Sequence, residues 1–270
     1  MQDVFITKIH IDKVRHLQNV DIVLPDNERK HLILTGKNGS GKTSLLEAMR
    51  NNIISKQKLY QKTQGSPISK KYTHEELNGK SGVDISYSQN ISNFLGVMFV
   101  YISTGRSELI SPEGIMPMII KGKTEVIRNA SKDFLRYILS LDYQLYGAKT
   151  DGNKALAENL EKWFDNFVIA LREIYDCQSL KLQRDTKNLA FKIKMPGREP
   201  FKLSEMSDGY TAFLNIYMEL LMRFESADAI VESNQPAIVM IDELETHLHV
   251  ELQKRILPFL TKLKIFDYSS

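Results

Sequence analysis

The stretch GKNGSGKT, residues 36–43, constrains the fold more than any other part of the chain. It fits the pattern G-x-x-x-x-G-K-[ST], and its flanks fit too. HLILTG (31–36) reads as a short apolar strand running into the turn. TSLLEAMRNNIIS follows, with Leu45, Leu46, Met49, Ile53 and Ile54 at helical spacing. The residue types match one chemistry. Gly36, Gly39 and Gly41 let main-chain N–H groups turn inward on phosphate oxygens, with Asn38, Ser40 and Ser44 as the other binding positions. A helix starting near Lys42 adds its positive end. Lys42 is placed for the β- and γ-phosphates and Thr43 for Mg2+. The expectation is a nucleoside triphosphate, with no base specified.

Such a loop needs a second acidic element at the end of a buried strand. IVMIDE (238–243) supplies one. Its four apolar residues set Asp242 at the strand's carboxyl end, where open α/β sheets bind ligands. Asp242 is the expected Mg2+ partner, through water. Glu243 is the expected general base for an attacking water. His247 and His249 follow in ETHLH and invite a zinc reading, but no further His or Cys cluster completes that site.

Composition narrows the setting. At 42% hydrophobic and 26% charged residues the chain is ordinary for a soluble protein of 270 residues. A net charge of +3 is too weak alone to argue for nucleic acid. Cys177 is the only cysteine, which excludes an internal disulfide and points to a reducing, cytoplasmic compartment. The N-terminus MQDVFITKIHID lacks the basic and apolar regions of a signal peptide, and no uncharged apolar run suits a bilayer.

The remaining segments predict an α/β core with a helical lobe. VFITKIHIDKVRHLQNVDIVL reads as two strands turning near Arg15 and His16. Residues 55–80 read as a loop carrying Lys56, Lys58, Lys62, Lys70, Lys71 and Lys80, solvated or placed against a phosphate backbone. VDISYS and LGVMFVYIS (95–103) read as strands. Long amphipathic helices are expected over 124–147 and 153–176, the second with Leu156, Leu160, Trp163, Phe164, Phe167, Leu171, Ile174 and Tyr175 on one face. That stripe reads as helix packing. SLKLQRDTKNLAFKIKM (179–195) reads as a hairpin turning at Asp185–Asn188. The expected division is 1–110 for the first part of the core, 111–178 for the helical lobe, and 179–270 for the hairpin, a further helix and the acidic strand.

One further stretch, LSEMSDGY (203–210), has turn and cap residues before the apolar helix YTAFLNIYMELLMRFE. GKNGSGKT, LSEMSDGY and IVMIDELETHLH in that order resemble an ABC-type ATPase head. The resemblance is to the branch of RecF, SMC proteins, OLD nucleases and the ATPases of bacterial anti-phage defence. The opening hairpin and FVYISTGRSEL (99–109) are similar to that branch as well. The resemblance implies a P-loop NTPase with a mixed sheet and an inserted helical lobe, using ATP and Mg2+. It implies that Ser207 and Gly209, at a helix N-terminus, meet the γ-phosphate of ATP held by another subunit. The chain would then be a homodimer, or higher homo-oligomer, sandwiching ATP. Such a protein gates a separate effector, a nuclease or toxin, in phage defence or genome maintenance, without a membrane.

The departures are specific. Asp208 stands where transporter-type signatures have Gly. Gln89 is the candidate for the glutamine that ends the first strand-loop in transporters, and Arg106 is the candidate to occupy the γ-phosphate-sensing region instead. His247 lies too close to Asp242 to be the family's switch histidine, so a further C-terminal portion is expected. Two alternatives stand beside the gating ATPase. One is a nucleotide-dependent scaffold or sensor that hydrolyses little. The other is a RecF-like DNA-binding repair ATPase, suggested by the lysine-bearing loop.

Overall fold

The computed structural model describes residues 4–62, 82–88, 98–102, 130–206, 208–225, 237–244, 248 and 250–262. The chain divides into two compact units, one of Met1–Thr104 with Asn234–Glu243, the other of Gly105–Ser233 with Leu244–Ser270. This cuts the chain differently from the sequence division at 110 and 178. The described residues of 179–225 group with the helical segment, and the acidic strand returns to the first unit.

The first unit opens with the expected hairpin, β1 (Ile6–Val14) and β2 (Leu17–Val23), turning through Arg15 in a left-handed conformation. β1 lies between β2 and β3 (Val83–Tyr87), antiparallel to both. Helix α1 (Lys42–Lys62) covers this sheet. Its Leu45, Met49 and Ile53 pack with Ile9, Ile11, Val14, Val83, Ile85 and Met240 in one buried cluster. The helix is also pinned by polar contacts: Asn52 donates to the Val83 carbonyl at 2.8 Å, and Lys56 pairs with Asp84 at 3.0 Å.

Two expectations are corrected here. Residues 55–62 are the last turns of α1 rather than loop, and Lys56 is buried in its ion pair, not offered to a phosphate. Most of the remaining lysine-bearing segment lies outside the described residues. The run 31–36 carries no strand ladder, and Leu32 and Ile33 stay exposed. An apolar run becomes a strand only where a neighbouring edge takes its N–H and C=O groups, and hydrophobicity alone does not provide that edge.

β4 (Met98–Ile102) pairs in parallel with β8 (Ala237–Ile241), in register from Met98 with Ala237 to Ile102 with Ile241. The expected single mixed sheet is therefore not formed among the described residues. The strands fall into three sheets, each purely parallel or purely antiparallel.

The second unit is built on α2 (Ala130–Thr150) and α3 (Lys154–Tyr175). Asn153 caps α3 by accepting from Leu156 N–H, and Asp176 ends it in the left-handed conformation. Trp163 stacks on Phe167 at 5.6 Å and meets Phe164 edge-on at 5.2 Å, while Phe134 lies 5.3 Å from Phe167. Helix α4 (Asp208–Glu225) joins this core through Tyr217, stacked on Phe167 at 6.2 Å. Helix α5 (Val250–Lys262) joins through Phe259, 5.1 Å from Phe213. The stripe predicted for α3 is thus packing surface.

The expected hairpin forms as β5 (Lys181–Asp185) and β6 (Ala190–Met195). A third strand, β7 (Arg198–Lys202), extends it through a turn at Gly197, which the hairpin reading missed. Phe191, Ile193 and Phe201 are buried beneath this sheet.

Candidate functional site

The 36–43 loop is shaped by its own backbone. Gly39 and Gly41 have φ of 81° and 93°, a region L side chains rarely enter. A Cβ added at Gly39 would meet nothing within 4 Å, so the loop's crest borders open space. A Cβ at Gly41 would sit 3.2 Å from His16 Cε1 and 3.3 Å from Leu17 Cδ1, so this glycine lets the loop lie against the first hairpin. His16 completes the contact: its Nε2–H donates to the Ser40 carbonyl at 3.2 Å. The Lys42 ammonium donates to the carbonyls of Gly36, at 2.6 Å, and Lys37, at 3.2 Å. Asn38 and Gly39 are exposed, while Ser40, Gly41, Lys42 and Ser44 are half-buried.

The acidic strand end meets this loop within the same unit. The β4–β8 ladder continues one bond further, with Asp242 N–H donating to the Ile102 carbonyl at 2.9 Å. That bond places the Asp242 carboxylate, 2% exposed, beside the first turn of α1. Thr43 Oγ1–H donates to Asp242 Oδ1 at 3.2 Å, across 199 residues of sequence. Glu243 is half-buried and has φ of 46°, in the left-handed region. For a non-glycine residue that conformation costs about 1–2 kcal/mol. Such strain concentrates where a side chain must be aimed.

Tyr101 and Arg50 border this arrangement and were not singled out from the sequence. The Arg50 guanidinium lies 5.1 Å from the Tyr101 ring centroid. Burial raises the Tyr101 phenol above its ordinary range, and the charges of Asp242 and Glu47 add to that. Strand register was the available signal, since Tyr101 pairs with Met240 two residues before Asp242.

The 203–210 stretch, in the second unit, is built from side chains. Leu203 is buried at 1% exposure. Glu205 Oε2 accepts from Lys202 N–H at 2.9 Å, fixing the short 3-10 turn over Leu203–Glu205. Met206 and Tyr210 are both held by Tyr175 at the end of α3. The Tyr175 hydroxyl donates to Met206 Sδ, and the Tyr175 and Tyr210 rings stack at 4.4 Å and 4°. Burial, then Tyr210, pushes the Tyr175 phenol above its ordinary range. Arg255 of α5 fastens the same helix end, donating to the Glu173 carbonyl and lying 4.0 Å from Asp176. Gly209 falls in the first turn of α4 and is half-buried. Ser207 lies outside the described residues, as do Gln89, Arg106, His247 and His249.

Among the described residues no group of three or more His, Cys, Asp and Glu side chains could hold a metal alone. Among them, too, no helix is long and apolar enough to cross a membrane. A Mg2+ ion would therefore need phosphate oxygens as further ligands, as at other phosphate loops. The donor set suits it: the Thr43 hydroxyl and the Asp242 carboxylate are hard oxygen ligands placed side by side.

No curated protein matches the chain. A family model described as "AAA domain, putative AbiEii toxin, Type IV TA system" matches residues 129–266, just over half of the sequence. The match takes in the helical unit, the 203–210 stretch, Asp242 and Glu243. The 36–43 loop lies before it, so loop and match are independent observations. Together with the mixed α/β fold they make the chain a P-loop ATPase of abortive-infection type, and it belongs to this AAA-domain family.

Proposed function

We propose that the chain binds ATP with Mg2+ at the 36–43 loop and hydrolyses it in an assembly of at least two copies. One observation carries the reading: the Thr43–Asp242 hydrogen bond, which joins the loop's helix to the acidic strand end. Thr43 and Asp242 hold the metal. Bound Mg2+ supplies positive charge to the phosphoryl oxygens. The loop N–H groups from Gly36 to Ser44 take up phosphate charge, and the open space at Gly39 leaves room for it. Lys42 exchanges its bonds to the Gly36 and Lys37 carbonyls for bonds to the outer phosphates. Glu243 takes a proton from the attacking water. General-base help of this kind is worth about a hundredfold to ten-thousandfold in rate.

Ser207 and Gly209 complete the site of a second copy, at the N-terminus of α4. ATP then joins two chains, and hydrolysis releases them. That cycle gates a separate effector, a nuclease or toxin, in anti-phage defence. The family's toxin–antitoxin description supports a defence setting.

Glu243→Gln tests the chemistry, with ATP turnover and solution mass measured together. Turnover should fall about a hundredfold or more. The ATP-bound assembly should persist, because the variant still binds. Unchanged turnover overturns the assignment of Glu243. A wild-type chain that assembles with ATP yet turns none over is a nucleotide-dependent scaffold instead.

A further inference from the structure

The sheet β5–β6–β7 has two faces of opposite character. Leu182, Phe191, Ile193 and Phe201 point to the core side, with Leu182 opposite Ile193 and Ile193 opposite Phe201. Alternation places Lys181, Lys192, Lys194 and Lys202 on the other face. The register sets them directly against one another. Lys181 is opposite Lys194, and Lys192 is opposite Lys202. Residues 181–202 carry seven Lys and Arg against two acidic residues, a net of +5, where the whole chain nets +3.

Like charges directly opposite across strands destabilise a sheet. Two such pairs on one face therefore cost the sheet stability. Among the described residues partial relief comes where Asp185 takes Lys192 at 2.8 Å and Glu205 lies 3.9 Å from Lys202. Lys181 and Lys194 are exposed, and among the described residues no carboxylate pairs with either.

We infer that this face binds the phosphate backbone of duplex nucleic acid. Lys192 and Lys194, two residues apart on β6, are spaced by about 6.8 Å along the strand. At that spacing the two ammonium groups can meet neighbouring phosphates of one strand. The face offers no aromatic ring, so it lacks the stacking platform that single-stranded binders use. Among the described residues its only apolar members by alternation are the small Ala190 and Pro200, which argues against insertion into a lipid surface. Lysine ammonium groups without base-reading partners give binding that is insensitive to sequence and sensitive to salt. Duplex binding at this face is independent of the nucleotide site and is tested without ATP.

The test uses the full chain and a fluorescent 30-base-pair duplex, titrated from 50 to 200 mM salt. The wild type is expected to bind with steep salt dependence. In K181Q/K194Q the salt slope should shrink by about 1.8, or about 0.9 for each phosphate no longer neutralised. Affinity should fall on the order of tenfold at the lowest salt. Tm should not fall, because the variant removes a repulsion. K181R/K194R should bind like the wild type. Three results overturn the inference: no duplex binding by the wild type, the same slope and affinity in the glutamine variant, or a lowered Tm in it. Preferential binding to phosphatidylserine vesicles over duplex also overturns it, in favour of a membrane surface.

Discussion

The phosphate loop and the 203–210 stretch are both turns that lead into a helix, yet they are held by different means. The loop's path is set mainly by main-chain geometry and by side chains that bond its own carbonyls, with His16 of the first hairpin reaching the Ser40 carbonyl. Gly39 and Gly41 set its path, and Lys42 closes it onto carbonyls five and six residues back. The 203–210 stretch is held by rings and a sulfur atom, above all through Tyr175, some thirty residues earlier. A site built on main-chain geometry depends mostly on its own residues and on the few side chains that touch it. A side-chain-built one depends on the core that positions it, so damage at a distance should reach the second more than the first.

The largest break in that comparison is Trp163→Ala. Trp163 is buried and touches Phe134, Tyr137, Phe164 and Phe167. Removing such a ring costs about 3–5 kcal/mol, which denaturant unfolding measures. Lys42→Ala should do the reverse. Its ammonium bonds are exposed and local, so stability should move by no more than about 0.5 kcal/mol. ATP affinity, read by calorimetry, should fall about tenfold to a hundredfold, the scale of a hydrogen bond to a charged group. A large stability loss in Lys42→Ala would show that the loop, too, is braced through its side chains.

Glu243→Gly sharpens the contrast inside the first unit. Glycine accepts the φ of 46° without strain, so stability should rise by up to about 1 kcal/mol while turnover falls about a hundredfold. Opposite signs in the two readouts would separate a strained, aimed side chain from a structural one. If stability falls instead, Glu243 is held by its neighbours rather than forced by its backbone.

What the sequence revealed follows the same division. Phosphate loop, acidic strand end, opening hairpin and the two long helices were legible because each is a local pattern. Glycine spacing, alternation and helical periodicity all act within a few residues. Three features were not legible. The run 31–36 looked like a strand, but pairing depends on an edge that hydrophobicity does not specify. Lys56 looked like loop lysine, but it is the partner of Asp84, 28 residues on. Tyr175 looked like one more residue of a packing stripe, while its hydroxyl and ring face the 203–210 stretch. These three turn on partners distant in the sequence, which no local pattern encodes; the missed β7 differs, since its turn at Gly197 is local.

Tyr175→Phe isolates that interaction. The variant keeps the stack on Tyr210 and removes only the bond to Met206. Stability should fall by about 0.5–1.5 kcal/mol. If the 203–210 stretch meets a second copy as proposed, ATP-dependent dimerisation in sedimentation experiments should weaken too, with ATP binding by the single chain unchanged. A dimer of full strength would leave Tyr175 a packing residue alone.

The smallest effect is expected at Asp185, where fold and basic face meet. Its carboxylate accepts from Asn188 Nδ2 at 3.0 Å, from Lys192 Nζ at 2.8 Å and from Asn188 N–H at 3.1 Å. Those bonds, Asn188's side chain first, hold its pKa well below the usual carboxylate range. A depressed folded-state pKa means the stabilisation is fully present above the ordinary value, about 3.9. It fades as pH falls below that value and is gone beneath the depressed one. The Tm gap between wild type and Asp185→Asn should therefore be widest near neutral pH and narrow as the solution is taken below about pH 4. The same substitution removes the carboxylate that holds Lys192. If the lysine face binds phosphate, duplex affinity should rise by roughly twofold, the scale of one exposed charge pair. A variant that is less stable yet binds duplex more tightly would show that Asp185 serves the turn at the expense of the face. One that is less stable and binds no better would confine Lys192 to the turn and leave the phosphate backbone to Lys181 and Lys194.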